Sequence, residues 1–217
     1  MLLVNHKTYK ASSGGEAVKL AGYLLEAGGK YNIRTVACPQ FADLKEVAKI
    51  LPEGAWAQHV DFVERGRATG WTPPEIVKDA GAVGVILNHS EHKLSYEDLG
   101  KTVEKVRNLG LEVLIFADSL EESIEVAKFK PNWIGYEPPE LVASKDTSVA
   151  KAKPEIIEKV VNAIPNTPIL VGAGIKDVED VRVSLKLGAK GIGVASAVVL
   201  ALDPNEVIEN LASGFRL

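Results

Sequence analysis

Only one cysteine is present, Cys38, so no disulfide can close within the chain. A lone thiol suits a reducing compartment, and a cytoplasmic protein is expected. Long apolar runs are also missing. The longest, VASAVVLAL at 194–202, is broken by Ser196 and falls well short of the roughly 20 residues that a membrane span needs. The opening stretch MLLVNHKTYK lacks a basic segment followed by an apolar core, so no signal peptide is expected. Without one, the glycosylation-like triplet Asn88-His89-Ser90 carries no meaning. Positive charge is not in excess either. The 25 Lys and Arg face 29 Asp and Glu, with both signs mixed along the chain, so neither a nucleic-acid nor a membrane partner is expected. No composition shift or Gly/Ser linker marks a boundary, and residues 1–217 read as one domain. A chain of this length can bury about 70% of its unfolded surface and needs no staples.

What is present is a rhythm. Eight near-continuous apolar runs occur at 2–5, 33–38, 55–60, 83–88, 113–117, 133–137, 168–172 and 191–195. Continuous rather than alternating apolar character is the mark of parallel strands covered on both faces. Segments with apolar residues three and four apart follow the runs, among them 15–28, 41–51, 95–110, 119–129 and 177–188. Asp203-Pro204 has the form of an N-cap with proline in the first helical position. Gly81, Gly110 and Gly188 fall where helices should end. Eight such units predict an α/β fold, the (β/α)8 barrel. The alternative is a doubly wound open sheet. A dinucleotide binder of that kind would show G-x-G-x-x-G after its first strand, where this chain has NHKTYKASSGG.

Barrels of this type work at the C-terminal ends of their strands. Those ends carry Asn5 and Lys7, Gln58 and His59, Asn88 to Glu91, Glu137, Gly172-Ala173-Gly174, and Ala195-Ser196. Singly, Lys7 reads as a solvated cation, His89 as a histidine satisfied by backbone, and Glu137 as half of an ion pair. Together, one lysine, one histidine and one glutamate on a shared rim can move a proton beside a carbonyl and hold the resulting anion. His89 and His92 have metal-ligand spacing, but no cysteine or carboxylate cluster completes a shell, and no metal is expected. Gly172 and Gly174 could serve a tight turn alone. Their place after strand seven, with the small Ala195-Ser196 turn after strand eight, favours a phosphate site.

These stretches, in register along the chain, resemble the triosephosphate isomerase family. Asn5-His6-Lys7 is similar to its N-x-K after strand one. Ala57-Gln58-His59-Val60 and Gly66-Arg67-Ala68-Thr69-Gly70 resemble its third strand end and the following loop. Leu87-Asn88-His89-Ser90-Glu91 resembles the histidine motif, Tyr136-Glu137-Pro138 the base motif, and Val171 to Gly174 with Val194-Ala195-Ser196 the phosphate loops. The short length and the string Glu137-Pro-Pro-Glu-Leu are most similar to archaeal members.

The resemblance implies interconversion of dihydroxyacetone phosphate and D-glyceraldehyde 3-phosphate without metal or organic cofactor. Glu137 would be the base and a neutral His89 the electrophile. Lys7, supported by Asn5, would hold the enediolate and phosphate charge. Gly172, Ala173, Gly174, Ala195 and Ser196 would bind phosphate, together with Ala143 and Ser144 from a lid behind the stiff Pro138-Pro139 entry. In the family a helix N-terminus lowers the pKa of that histidine, and Ser90-Glu91 after His89 is compatible with such a helix start. A homodimer or homotetramer is implied too, with Thr69 reaching the partner's active-site face. Three positions depart from the pattern. Ala143-Ser144-Lys145 has no glycine where the lid usually does, Phe116-Ala117-Asp118 replaces a common cysteine, and Lys93 stands where arginine is common. Another phosphate-sugar barrel enzyme (an epimerase or synthase) and a non-catalytic phosphate-binding homologue are the alternatives.

Overall fold

The computed structural model describes residues 1–138 and 154–216. Eight strands follow one another as β1 (Leu2–Asn5), β2 (Thr35–Cys38), β3 (Trp56–Ala57), β4 (Gly84–Leu87), β5 (Glu112–Ala117), β6 (Trp133–Tyr136), β7 (Ile169–Val171) and β8 (Gly191–Val194). All paired strands are parallel, in the order β2-β1-β8-β7-β6-β5-β4-β3. The remaining seam closes between β2 and the residues before β3, where Ala37 pairs with Ala55 and the Ala37 N–H donates to Gly54 O at 2.8 Å. The expected (β/α)8 barrel is therefore the fold.

Side-chain alternation explains the continuous apolar runs. Leu3, Val36, Cys38, Trp56, Ile86, Leu114, Phe116 and Leu170 fill the barrel interior. Their strand neighbours, such as Leu2, Val4, Val85, Leu87 and Ile115, pack outward in the layer shared with the helices. Every strand position but the first of β5 and of β6 is thus buried on one side or the other. The helix α1 (Gly15–Tyr31) shows the complementary pattern. It buries Ala17, Leu20, Ala21, Leu24 and Ala27, one stripe at three- and four-residue spacing. Among the described residues, no helix is long and apolar enough to cross a membrane.

The expected caps are found. Asp203 accepts from the Glu206 N–H with Pro204 in the first helical turn. Gly81, Gly110 and Gly188 take left-handed φ values of 98°, 76° and 96° just past helix ends. The helices α2 (Phe41–Ile50), α4 (Tyr96–Asn108) and α5 (Leu120–Ala127) lie on the expected segments, and α3 (Pro74–Asp79) ends just before Gly81. Six of the eight strands are shorter than their apolar runs, most of all β2 and β3, where residues 33–34 and 58–60 lie outside the ladder. The apolar stretch after β8 contains a short helix, Ser196–Val199, that composition alone did not reveal.

Candidate active site

Lys7, His89 and Glu137 come from three strand ends and line one cavity of about 490 Å³ at the C-terminal rim, together with Asn5, Glu91 and Phe116. The backbone of Lys7 is left-handed, with φ 51°. A non-glycine residue in that region costs about 1–2 kcal/mol, and the surrounding hydrogen bonds must hold it there. The Lys7 N–H donates to Asn5 Oδ1 at 3.0 Å, a local turn that the asparagine makes possible. Gln58 Nε2 donates to Lys7 O and to Cys38 O, each at 2.9 Å, and so joins the first strand end to the second. The Lys7 side chain then reaches Glu91 Oε1 at 2.8 Å and lies 3.4 Å from His89 Nε2.

His89 is held in one tautomer. The Glu91 N–H donates to His89 Nδ1 at 3.1 Å, so the neutral ring carries its hydrogen on Nε2. That nitrogen lies 3.4 Å from Glu137 Oε2. Burial lowers the His89 pKa to about 4, and the charges of Lys7 and Lys93 push the same way against Glu91. The expected helix start at Ser90-Glu91 is not there. Residues 89–92 form a turn closed by the His92 N–H on His89 O at 2.8 Å, and α4 begins at Tyr96 behind its Ser95 cap. Desolvation and neighbouring cations, with a single backbone N–H on Nδ1, do what a helix dipole was expected to do.

Glu137 closes β6, where its N–H donates to Ala117 O at 2.9 Å. Its side chain is buried and receives the Ser90 hydroxyl at 3.4 Å. Burial raises its pKa to about 7, with Lys7 and Ser90 pulling in the opposite direction. The edge of Phe116 stands against the His89 ring, centroids 5.1 Å apart, and keeps that side of the cavity apolar.

The phosphate-loop residues divide. Gly174, Ala195 and Ser196 line the cavity, and Gly174 has φ 71°. Ser196 opens the Ser196–Val199 helix, whose first N–H groups lack intrahelical partners. Ala173 is buried and does not line the cavity. Gly172 lines it, but its N–H is committed to Tyr136 O at 3.0 Å. A Cβ there would lie 3.0 Å from Phe116 and 3.4 Å from Glu137 Oε1, so this glycine leaves room for the carboxylate. Ala143 and Ser144 lie outside the described residues. Thr69 is exposed on the loop after β3 and takes no part in the cavity. His92 turns away from His89 to stack on His59, ring centroids 3.9 Å apart. Sequence reasoning placed Glu91 at this rim but gave it no role, and it passed over Lys176, which also lines the cavity. The Lys7–Glu91 ion pair joins residues 84 apart, so no local pattern announces it.

The family model described as "Triosephosphate isomerase" matches residues 1–211. A triosephosphate isomerase of Sulfurisphaera tokodaii is 38% identical over 97% of this chain and 93% of its own length. Those of Methanothermus fervidus and Methanocaldococcus jannaschii are 36% and 35% identical, each over 97% of this chain and 96% and 98% of their own. The match runs through all eight strand ends, including those that bring Lys7, His89 and Glu137 together, and on it the chain belongs to the triosephosphate isomerase family.

Proposed function

We propose that the rim cavity interconverts dihydroxyacetone phosphate and D-glyceraldehyde 3-phosphate through an enediolate. One observation carries the roles: His89 Nε2 lies 3.4 Å from both Lys7 Nζ and Glu137 Oε2, inside one cavity. Glu137 takes a proton from carbon 1 of the ketone and returns it to carbon 2. A carboxylate with a pKa of about 7 suits both halves of that exchange near neutral pH. The neutral His89 offers its Nε2 hydrogen to the carbonyl oxygen and passes a hydrogen between the two oxygens as the charge moves. Lys7 places a fixed cation beside the developing enediolate. Asn5 and Gln58 hold Lys7 where it must stand.

Phosphate is assigned to Gly174, Ala195 and Ser196, with Gly172 and Ala173 shaping the loop. Small residues suit this purpose because the anion must approach backbone N–H groups. The reaction needs no cofactor, since each proton leaves and returns through a side chain of the protein. The proposed assembly is a homodimer or homotetramer in the cytoplasm, with Thr69 at the contact.

The test is Glu137→Asp, assayed for triose phosphate interconversion. Retracting the carboxylate by one methylene moves it about 1 Å, enough to lower kcat on the order of 10²-fold. Activity close to that of the parent enzyme would remove Glu137 from the role of base.

A further inference from the structure

The loop carrying His89 is anchored from outside the cavity by one carboxylate on α5. Glu122 occupies the third position of that helix, fixed by its own N–H on the Ser119 hydroxyl at 3.1 Å. Its Oε2 accepts the Asp118 N–H at 2.8 Å, at the point where β5 ends. Its Oε1 accepts Asn88 Nδ2 at 2.9 Å. Lys93 Nζ lies 2.9 Å from each oxygen and 3.3 Å from Asp118 Oδ2. Burial pushes the Glu122 pKa up, but the Asp118 N–H, Lys93 and Asn88 outweigh it and hold the group below the usual carboxylate range.

Asn88 makes this arrangement consequential. It precedes His89 directly, is buried, and has a left-handed φ of 57°. Its amide also donates to Phe116 O at 2.9 Å, and its Oδ1 accepts the Leu94 N–H at 3.1 Å. The segment 88–94 is thus closed on itself at Asn88 and tied at both Asn88 and Lys93 to the same carboxylate. Such a backbone conformation persists only where its surroundings over-determine it.

We infer that Glu122 is a positioning residue for His89: it clamps Asn88 and Lys93 to the end of β5 and so fixes where the histidine Nε2 stands. The inference rests on the role given to His89 above. It is not a matter of general stability alone, because the clamped residues flank the histidine on both sides.

The experiment measures kcat and KM separately for Glu122→Gln, and follows the His89 ring by ¹⁵N NMR in the substrate-free protein. The glutamine keeps the volume but turns one acceptor into a donor facing other donors. The expected result is a fall in kcat of about tenfold, KM within about twofold, and shifted His89 ring signals. Glu122→Asp keeps the charge but shortens the reach, and serves as the second variant, with the same direction expected. Parent-like kcat with unmoved His89 signals in the folded variants would overturn the inference, however far the melting temperature falls. So would a lower kcat with unmoved signals, because catalysis would then be affected by another route. If the parent enzyme proves inactive on triose phosphates, the proposed function fails while the NMR comparison still decides the clamp.

Discussion

At the scale of single residues, two opposite pKa shifts govern the site, and each makes a statement about pH. As the proposed base, Glu137 must be ionised, and its pKa in the free protein is about 7. As the proposed electrophile, His89 must be neutral, and it stays so down to about pH 4. The acid limb of kcat/KM, which reports groups of the free enzyme and free substrate, is therefore expected to bend at about pH 7. Below about pH 6 it should steepen toward a slope of two, as a phosphate monoester takes up its own second proton. A rate profile that stays flat from pH 8 to pH 5 would contradict this. The same burial has a stability cost of known sign. The folded state holds the Glu137 proton more firmly than the unfolded chain, whose glutamate titrates near 4.5. Its contribution is full below pH 4.5 and is lost as pH rises through 7, to the extent of about 3 kcal/mol. Glu137→Gln should accordingly resist urea better than the parent at pH 8, with the gap closing toward pH 4.5.

Secondary elements place these residues through close approaches that a larger side chain would prevent. Gly135 in the middle of β6 faces Phe116 on β5, and a Cβ there would lie 2.6 Å from the ring. Phe116 is already in contact with His89 at its edge, so it cannot yield without disturbing the site. Gly135→Ala should lower stability by about 1–3 kcal/mol through overpacking, and lower kcat with it. Adding Phe116→Leu should restore part of the denaturant midpoint. An unchanged midpoint and kcat in the single variant would show that Phe116 is not confined. This scale also shows what a sequence can and cannot reveal. The βα rhythm was legible because strands covered on both faces are apolar throughout, and helices over them carry a single stripe. Lys7, His89 and Glu137 were legible because each sits where an apolar run stops. Ser90-Glu91 is compatible with a helix N-terminus locally, yet residues 89–92 form a turn, and Asn88 and Lys93 are held by a carboxylate on another helix. Gly172 was read as an anion donor, but its N–H is taken by β6 pairing, which only the assembled barrel determines.

At the scale of the whole molecule, the loop after β3 and the helix that follows it present an apolar surface. Phe62, Trp71 and Ile76 are large apolar residues with 44%, 57% and 49% of their surface exposed. Trp71 and Ile76 share a surface cavity of about 330 Å³ with Arg65 and Ala68, close in sequence to Thr69. The loop that presents Phe62 and Trp71 is not loose. The Asp61 N–H donates to Thr72 O at 2.9 Å, and the Thr72 N–H to Asp61 Oδ2 at 2.7 Å, closing its base. Lys105 of α4 reaches Val63 O at 2.5 Å as well as Glu64 and Glu75, and Arg65 pairs with Asp79. A rigid loop loses little conformational entropy on docking, and its exposed tryptophan can supply the kind of anchor that dominates interfaces. Both properties favour docking, and in the proposed assembly the occupant is a second copy of the chain. Sedimentation of the parent should give two or four times the 23.3 kDa of one chain. Thr69→Arg, which adds bulk and charge at the proposed contact without touching the cavity, should shift the protein toward the single chain. If the contact also steadies the partner's Asn5 and Lys7, kcat should fall as the assembly dissociates, and raising the protein concentration should recover it. A parent protein that sediments as a single chain with full activity at micromolar concentration would refute the assembly and the role of Thr69 together.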